Sequence, residues 1–550
     1  MLLHSYIFIA ALFTSLIAVP GLRKWAFETG TLDLSDERKV HKGMMPRLGG
    51  VAIFLAFFIS LLMFVDLTPV VRGILAGSLI LFVTGLIDDL VGLSPKRKFC
   101  GEIFGTCVTI AISGLQISHL GNLYGTGEII LPLWLAVPFT VFAVVGVINA
   151  INLIDGLDGL SGGISIIALS GFTLLALLDS NVEVTLLCAA LIGAVLGFLK
   201  YNAYPARIFM GDVGSLVVGF LLAFIAVHLT QRPGAGIQSI VPLLMLGVPI
   251  IDTIWVMGSR IARGVSPFVA EKTHVHHKLL DIGFQHKTSV LLIYAITLFW
   301  TFIAIFQRDQ PAWQLLLFFA LASFVGYQFL RFVAYHPEEF SCLAFYAPQS
   351  LLRTHIYLKI ASLGKYLVVL LGGLLFTLLA VSLAAGCCLG ASSVQYILLT
   401  LGVGVGLLLL IRDIRNHFFQ IYLFVAGLVL SYEVTQAGAN LLFSRYTLAD
   451  VTNLLFLLMV PLVFFLVLFR NSDEARLTTQ LDLLVLAVSL TLACVAQETV
   501  LSFSFPLLVS KAILIFLSIK ILTHRSVYFS RPVCGSVLAS LVFLFLQGFY

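Results

Sequence analysis

Residues 70–89, VVRGILAGSLILFVTGLIDD, form an apolar run broken only by Arg72 near its start and closed by two adjacent carboxylates, Asp88 and Asp89. A helix needs about 20 mostly apolar residues to cross the roughly 30 Å hydrocarbon core of a bilayer, and this stretch has that length and composition. Comparable runs recur with short breaks at 3–19, 48–65, 103–119, 132–149, 160–178, 184–200, 213–230, 237–257, 288–306 and 312–332, and again at 366–386, 394–411, 418–437, 452–469, 479–496, 506–522 and 533–549. The expected fold is all-α: a polytopic integral membrane helix bundle of about 18 transmembrane helices, about 11 in a first block and about 7 in a second. Hydrophobic residues fill 60% of the 550 positions and charged residues only 11%. Those values exclude a large soluble domain.

Lysine and arginine mark the inner side of a membrane protein. The first run has no basic residue before it and is followed by Arg23 and Lys24, which predicts a retained signal anchor with its N-terminus outside. Alternating sides from there, all 32 Lys and Arg except Arg72, Arg232, Arg308, Arg445 and Lys511 fall on or near the inner face. The inner loops 21–47, 89–102, 150–159, 201–212 and 258–287 are polar and crowded, whereas the outer ones are short or bland. Such asymmetry suits an active site at the inner surface. The strongest seam is the polar stretch around YHPEEF, so the expected domains are 1–335, a cytoplasmic linker over 336–365, and a C-terminal membrane block over 366–550. The eight cysteines show no CxxC pair and no His at zinc spacing, so neither a metal knuckle nor a disulfide framework is indicated.

Five constellations carry chemistry. The first is Asp88-Asp89, a self-repelling carboxylate pair that needs a cation, a proton or water; a wetted helix-end pair is the plainer alternative. In the second, NAINLIDGLDGLSGG, Asn149, Asn152, Asp155 and Asp158 recur at three-residue steps that keep them on one side of a helical or turn-like segment, with glycines permitting close backbone approach. The third, KYNAYPARIFMGDVGS, offers Asn202, Phe209 and a hard oxygen ligand, Asp212. Magnesium is held by one or two carboxylates plus phosphates and water, which makes Asp212 the first candidate ligand; Phe209 either stacks on a base or simply packs. The fourth, His274-Val-His276-His277-Lys278, lacks a Cys or acid at zinc spacing, so hydrogen bonding to phosphate or sugar hydroxyls is the better reading. The fifth is the basic approach Arg38-Lys39-Val-His41-Lys42 with Pro46-Arg47, joined by the knot Lys96-Arg97-Lys98; these charges serve either a ligand or topology.

In this order, VHKGMMPRLGG, GLIDDLVGLSPKRK, NAINLIDGLDGLSGG, FLKYNAYPARIFMGDVGS and HVHHKLL resemble the polyprenyl-phosphate N-acetylhexosamine-1-phosphate transferase family, the WecA/MraY type (glycosyltransferase family 4). The Pro46-Arg47-Leu-Gly-Gly form and the His-x-His-His loop look more like the UDP-N-acetylglucosamine branch than the muramoyl-pentapeptide branch. The resemblance implies transfer of N-acetylhexosamine-1-phosphate from a UDP-sugar to undecaprenyl or another polyprenyl phosphate, with release of UMP, at the cytoplasmic face of a bacterial inner membrane. It implies Mg2+, with Mn2+ as the alternative. It also implies a bilayer environment, no nucleic-acid partner and room for a homodimer.

By the same resemblance Asp88, Asp89 and Asp155 are catalytic, with Asp88 and Asp89 beside the lipid phosphate; Asp212 and Asn152 hold the metal. Lys96, Lys98, Asn149, Asn152, Asn202, His274, His276, His277 and Arg47 bind substrate, and Asp158 with Phe209 meets the uracil. Glu102 departs from the family pattern, where a Gln is expected. Two rivals are kept: phospho-N-acetylmuramoyl-pentapeptide as the donor substrate, and a membrane transporter or lipid flippase. A carrier places its site near the midplane, unlike these motifs. The resemblance ends before the C-terminal block, for which the expectations are an oligomerisation scaffold, a docking site for later pathway enzymes or a lipid-handling module.

Overall fold

Thr68 and Pro69 start the helix that the opening stretch predicts: the Thr68 hydroxyl accepts from the Val71 amide, and Pro69, lacking an amide proton, occupies the first turn where no partner is needed. In the computed structural model this helix, α3, spans Pro69–Val91 and ends at Gly92, whose φ of 77° turns the chain sharply. The structure describes residues 2–335, except 31, 34–44, 233, 235 and 267–273, together with scattered positions beyond 335. The chain divides into two compact units, Met1–Tyr346 and Ala347–Tyr550. The expected spans from 366 onward, the linker, and Arg38, Lys39, His41 and Lys42 lie outside the described residues, apart from scattered positions.

The first unit is a helical bundle. Its elements are α1 (Leu2–Thr29), α2 (Gly49–Phe64), α3, α4 (Pro95–Ser113), α5 (Leu133–Ile154), α6 (Leu160–Leu178), α7 (Val182–Asn202), α8 (Gly211–Gln231), α9 (Ile240–Met245), α10 (Gly247–Ala262), α11 (Val275–Asp281), α12 (His286–Phe306) and α13 (Ala312–Tyr335). Among the described residues eight helices are long and apolar enough to cross a membrane, which makes this a multi-pass membrane protein; the count of about 18 is not supported. Short two-stranded pieces join the helices, Leu32–Asp33 with Met45–Pro46 and His119–Gly121 with Ile129–Ile130.

Two expectations change. The span expected over 237–257 is broken at Leu246 into α9 and α10, because Pro249 cannot donate an amide to a continuous helix. The span expected at 103–119 begins earlier, at Pro95 behind Ser94, so Lys96 and Lys98 stand on the first turn of α4 rather than in a loop.

The centre of the bundle is α6 and α8, each 89% buried over its most apolar window; α1 and α13, at 22% and 17%, form the periphery. Small residues let the inner helices approach. A Cβ added to Gly50 would come within 2.0 Å of the Gly214 amide nitrogen, and one on Gly85 within 2.6 Å of Val213 Cα. These approaches draw α2 and α3 onto the first turn of α8. The C-terminal ends of α3, α5 and α7 and the starts of α4, α6 and α8 thereby share one end of the bundle.

Candidate active site

At that end Lys98 binds two carboxylates from different helices. Its Nζ is 3.2 Å from Asp88 Oδ2 and forms a closer ion pair and hydrogen bond with Asp212 Oδ1. Burial alone depresses a lysine, but here Asp212 and then Asp88 outweigh it and hold Lys98 above its usual value, so it remains an ammonium ion. Asp88 is fixed from the other side by the Leu93 amide, which donates to Oδ1 at 2.7 Å. Asn152 donates from Nδ2 to Asp212 Oδ1 at 2.8 Å and to Ser215 Oγ at 2.7 Å. Helical spacing puts Asn149 on the same side of α5, where its amide donates to buried Glu102 at 2.6 Å. Lys96, grouped with Lys98 from the sequence, is exposed and has no ion-pair partner among the described residues.

Asp88 and Asp89 part company. Asp89 turns toward the start of α8 and accepts from the backbone amides of Asp212 at 2.9 Å and Val213 at 3.0 Å. Both oxygens therefore cap α8 and hold the residue that meets Lys98. Gly211 makes the turn possible: its φ is 72°, and a Cβ there would lie 2.1 Å from the Arg47 carbonyl oxygen. Asp89→Ala is expected to destabilise the fold by about 2 kcal/mol, the upper range for loss of a helix cap. It should also reduce turnover, whereas Asp89→Asn, which keeps one acceptor, should retain most of the stability. Thermal unfolding of the two variants checks this; equal loss would mean that charge rather than capping is what Asp89 supplies.

Asp155 follows the last turn of α5. Burial first, and then the negative charges of Asp212, Asp158 and Asp89, push its carboxyl up to about 7. Asp158 faces elsewhere: it is buried, accepts from the Ala206 amide at 2.9 Å, and its own amide donates to His286 Nε2 at 3.0 Å. Asn202 accepts from the Gly159 amide at 2.9 Å and donates to the Ile208 carbonyl at 2.9 Å. These two residues clamp the 155–159 turn to the 203–209 loop. Phe209, half-buried, sits where its backbone pairs with Pro46 and Gly49, which places Arg47 beside the same loop.

The histidine loop reaches this turn from α11. A Cβ on Gly156 would lie 2.2 Å from His276 Nε2, so glycine is what admits the ring. Burial, and then neighbouring His277, push His276 down to about 3, leaving it a neutral hydrogen-bonding group. Its ring is 4.3 Å from that of His277 and stacks near-parallel with that of His274 at 5.8 Å. Sequence reading missed Asp252, which accepts from His274 and the Val275 amide, although an acid inside an apolar span is a signal in itself. Among the described residues no group of three or more His, Cys, Asp or Glu is arranged to hold a metal ion unaided.

A model of glycosyl transferase family 4 matches residues 71–230, the stretch that contains Asp88, Lys98, Asn152 and Asp212. A probable undecaprenyl-phosphate N-acetylglucosaminyl 1-phosphate transferase of Bacillus subtilis (strain 168) is 37% identical over 320 residues, 58% of this chain and 89% of that protein. The chain belongs to glycosyl transferase family 4. Undecaprenyl-phosphate alpha-N-acetylglucosaminyl 1-phosphate transferases of Yersinia pestis and Escherichia coli (strain K12) are 30% and 29% identical, over 54% and 56% of this chain and 84% and 85% of theirs. This family 4 protein is therefore an enzyme, a transferase. Its histidine loop and α13 lie beyond the 71–230 match, so their place at the site comes from the tertiary fold.

Proposed function

We propose that this family 4 transferase moves N-acetylglucosamine-1-phosphate from UDP-N-acetylglucosamine to undecaprenyl phosphate at the cytoplasmic face of the bacterial inner membrane, releasing UMP, and that residues 1–335 carry the reaction. The observation that supports it most is Lys98 held between Asp88 and Asp212, with Asn152 on Asp212 and the Asp155 turn close by. The names of the relatives supply the substrate class.

The reaction joins two anions. An oxygen of the lipid phosphate attacks the sugar-proximal phosphorus of the UDP-sugar; the new P–O bond forms as the bond to UMP breaks, and UMP departs with the electron pair. A phosphate monoester has a second pKa of about 6, so near pH 7 the nucleophile is already largely dianionic and direct attack needs little base. Asp88 orients the lipid phosphate through Lys98, whose ammonium offsets the charge that collects between the two phosphates. His276, neutral, donates or accepts a hydrogen bond at the diphosphate or sugar. Asp158 and Asn202 hold the loop that carries Phe209, so that the uracil meets a wall of set shape.

A divalent cation suits the donor set. Asp88 and Asp212 share the Lys98 ammonium, Asp89 caps the helix that carries Asp212, and Asp155 feels the charges of Asp212 and Asp89; the donors are hard oxygens, the preference of magnesium. Asp212, with Asn152 beside it, would hold the ion, which when bound supplies neutralisation of the diphosphate. Because Asp155 carries a proton below about 7 and its charged form favours a cation, the apparent magnesium activation constant should fall as pH rises from 6 to 8, most steeply below 7 at up to about tenfold per unit. Asp155→Asn should flatten that slope; an unchanged slope would separate Asp155 from the cation.

The test is UMP release by purified protein given UDP-N-acetylglucosamine, undecaprenyl phosphate and magnesium, with a no-lipid control. Release that requires the lipid supports the reading. Tighter competition by UDP-N-acetylmuramoyl-pentapeptide would replace the donor, and silence with every UDP-sugar would replace the reaction.

A further inference from the structure

Where α10, α11 and α13 meet, Asp252 is 2% exposed and receives three hydrogen bonds: His274 Nδ1 at 2.7 Å on Oδ2, and the Val275 amide at 2.8 Å and the Tyr327 hydroxyl at 2.6 Å on Oδ1. The Val275 amide and the Tyr327 hydroxyl both donate to Oδ1, and a third hydrogen bond joins Oδ2 to the His274 ring, a setting that favours the ionised carboxylate. With Asp252 ionised, the proton shared with His274 sits on Nδ1, which leaves the Nε2 edge of the ring to meet any further group. Tyr327 is itself held, its ring 4.4 Å from that of Trp255 and covered by Lys278 Nζ at 4.3 Å from the centroid. On its other side His274 lies parallel to His276, within 7° and at 5.8 Å, and His276 abuts Gly156 next to Asp155. The buried Nδ1 of His276 has no hydrogen-bond partner among the described residues, so its orientation is set by packing and by this stack.

From this arrangement we infer that Asp252 and Tyr327 are positioning residues for sugar-phosphate transfer: they lock His274 in its Nδ1–H form and, through the stacked rings, set His276 against the Asp155–Gly156 turn. The inference rests on the reading that the histidine loop meets the donor's diphosphate and sugar. A carboxylate behind a working imidazole fixes both the tautomer and the plane of the ring; its loss lowers activity about 10–100-fold behind a metal-bound histidine and about 10⁴-fold behind a general base. Tyr327 acts one step further back. Its hydroxyl limits where the Asp252 carboxylate sits, and it ties the last described helix of the unit to the loop.

Two measurements on the full-length protein test it. Nitrogen-15 spectra of histidine-labelled enzyme, with the His274 signals identified by their loss in His274→Gln, should show Nδ1 protonated in the wild type and deprotonated in Asp252→Asn, whose carboxamide donates to the ring instead. Steady-state kinetics should show kcat/KM for the UDP-sugar falling about 30-fold in Asp252→Asn and about 5-fold in Tyr327→Phe, with KM for undecaprenyl phosphate within about twofold. A bare Nδ1 in the wild type, or both variants within twofold of wild-type kcat/KM, overturns the inference. Should Asp252→Asn fail to fold, Tyr327→Phe decides alone, since it keeps the packed ring and removes only the hydroxyl. A wild type that turns over no UDP-sugar would remove the reaction and with it this role, while a protonated Nδ1 would still establish the clamp, so the two failures are told apart.

Discussion

Asp212→Asn is expected to lower UMP release by about 10³-fold while moving Tm by no more than about 3 °C. The substitution is nearly isosteric, and a carboxamide oxygen still accepts from Asn152 Nδ2, which donates to Asp212 at 2.8 Å. Its backbone amide still donates to Asp89, so the start of α8 stays capped. Lost is the negative charge that meets the Lys98 ammonium and that would hold a cation. Because phosphoryl transfer depends chiefly on neutralising charge at fixed points, the effect should fall on kcat more than on KM for either substrate. UMP release within tenfold of wild type would place the reacting centre elsewhere.

Lys98→Met is expected to lose both turnover and stability, the former by at least about 10²-fold and the latter by about 3 kcal/mol. The lysine is 16% exposed and lies between side chains of Asp88 and Asp212 that are 12% and 28% exposed. Removing it leaves two poorly solvated carboxylates facing each other, with Asp155 and Asp89 nearby. Breaking a buried pair from one side in this way is among the larger single-residue penalties. Lys98→Arg should restore the stability but only part of the activity, since the planar guanidinium is broader than a point ammonium. Measuring thermal unfolding beside UMP release separates the two effects; a Lys98→Met protein as stable as wild type would show that the carboxylates take up protons once their counter-ion is gone.

Much of the site could be read in the chain. Asp88, Asn152 and Asp212 stand out in the sequence because carboxylates and amides at the end of apolar runs have few structural uses, and the structure joins all three through Lys98 or directly. Lys98 is a candidate from sequence, yet nothing local separates it from Lys96 two residues earlier. The difference is rotational: on the first turn of α4 one faces the pair and the other does not. Asp89 shows the opposite limit, for adjacent carboxylates read alike in sequence, but successive residues on a helix point about 100° apart, and one of them meets backbone amides more than 120 residues away. Asp158 and Asn202, assigned to ligand by resemblance, are tied to backbone and to His286 in ways that spacing does not encode.

The sequence by itself determined that this is a multi-pass helical membrane protein, because each helix answers to its own hydropathy and caps, and these are local properties. It also determined the chemical inventory, hard oxygens, basic residues and a histidine loop, since composition and order survive without coordinates. Only the tertiary structure decided which atoms meet. The Lys98–Asp212 pair spans 114 residues and the Tyr327–Asp252 hydrogen bond 75, and the first lies where α2 and α3 approach the start of α8 closely at Gly50 and Gly85. Side-chain direction is a property of helix phase and packing, and a linear pattern of apolar residues does not contain it.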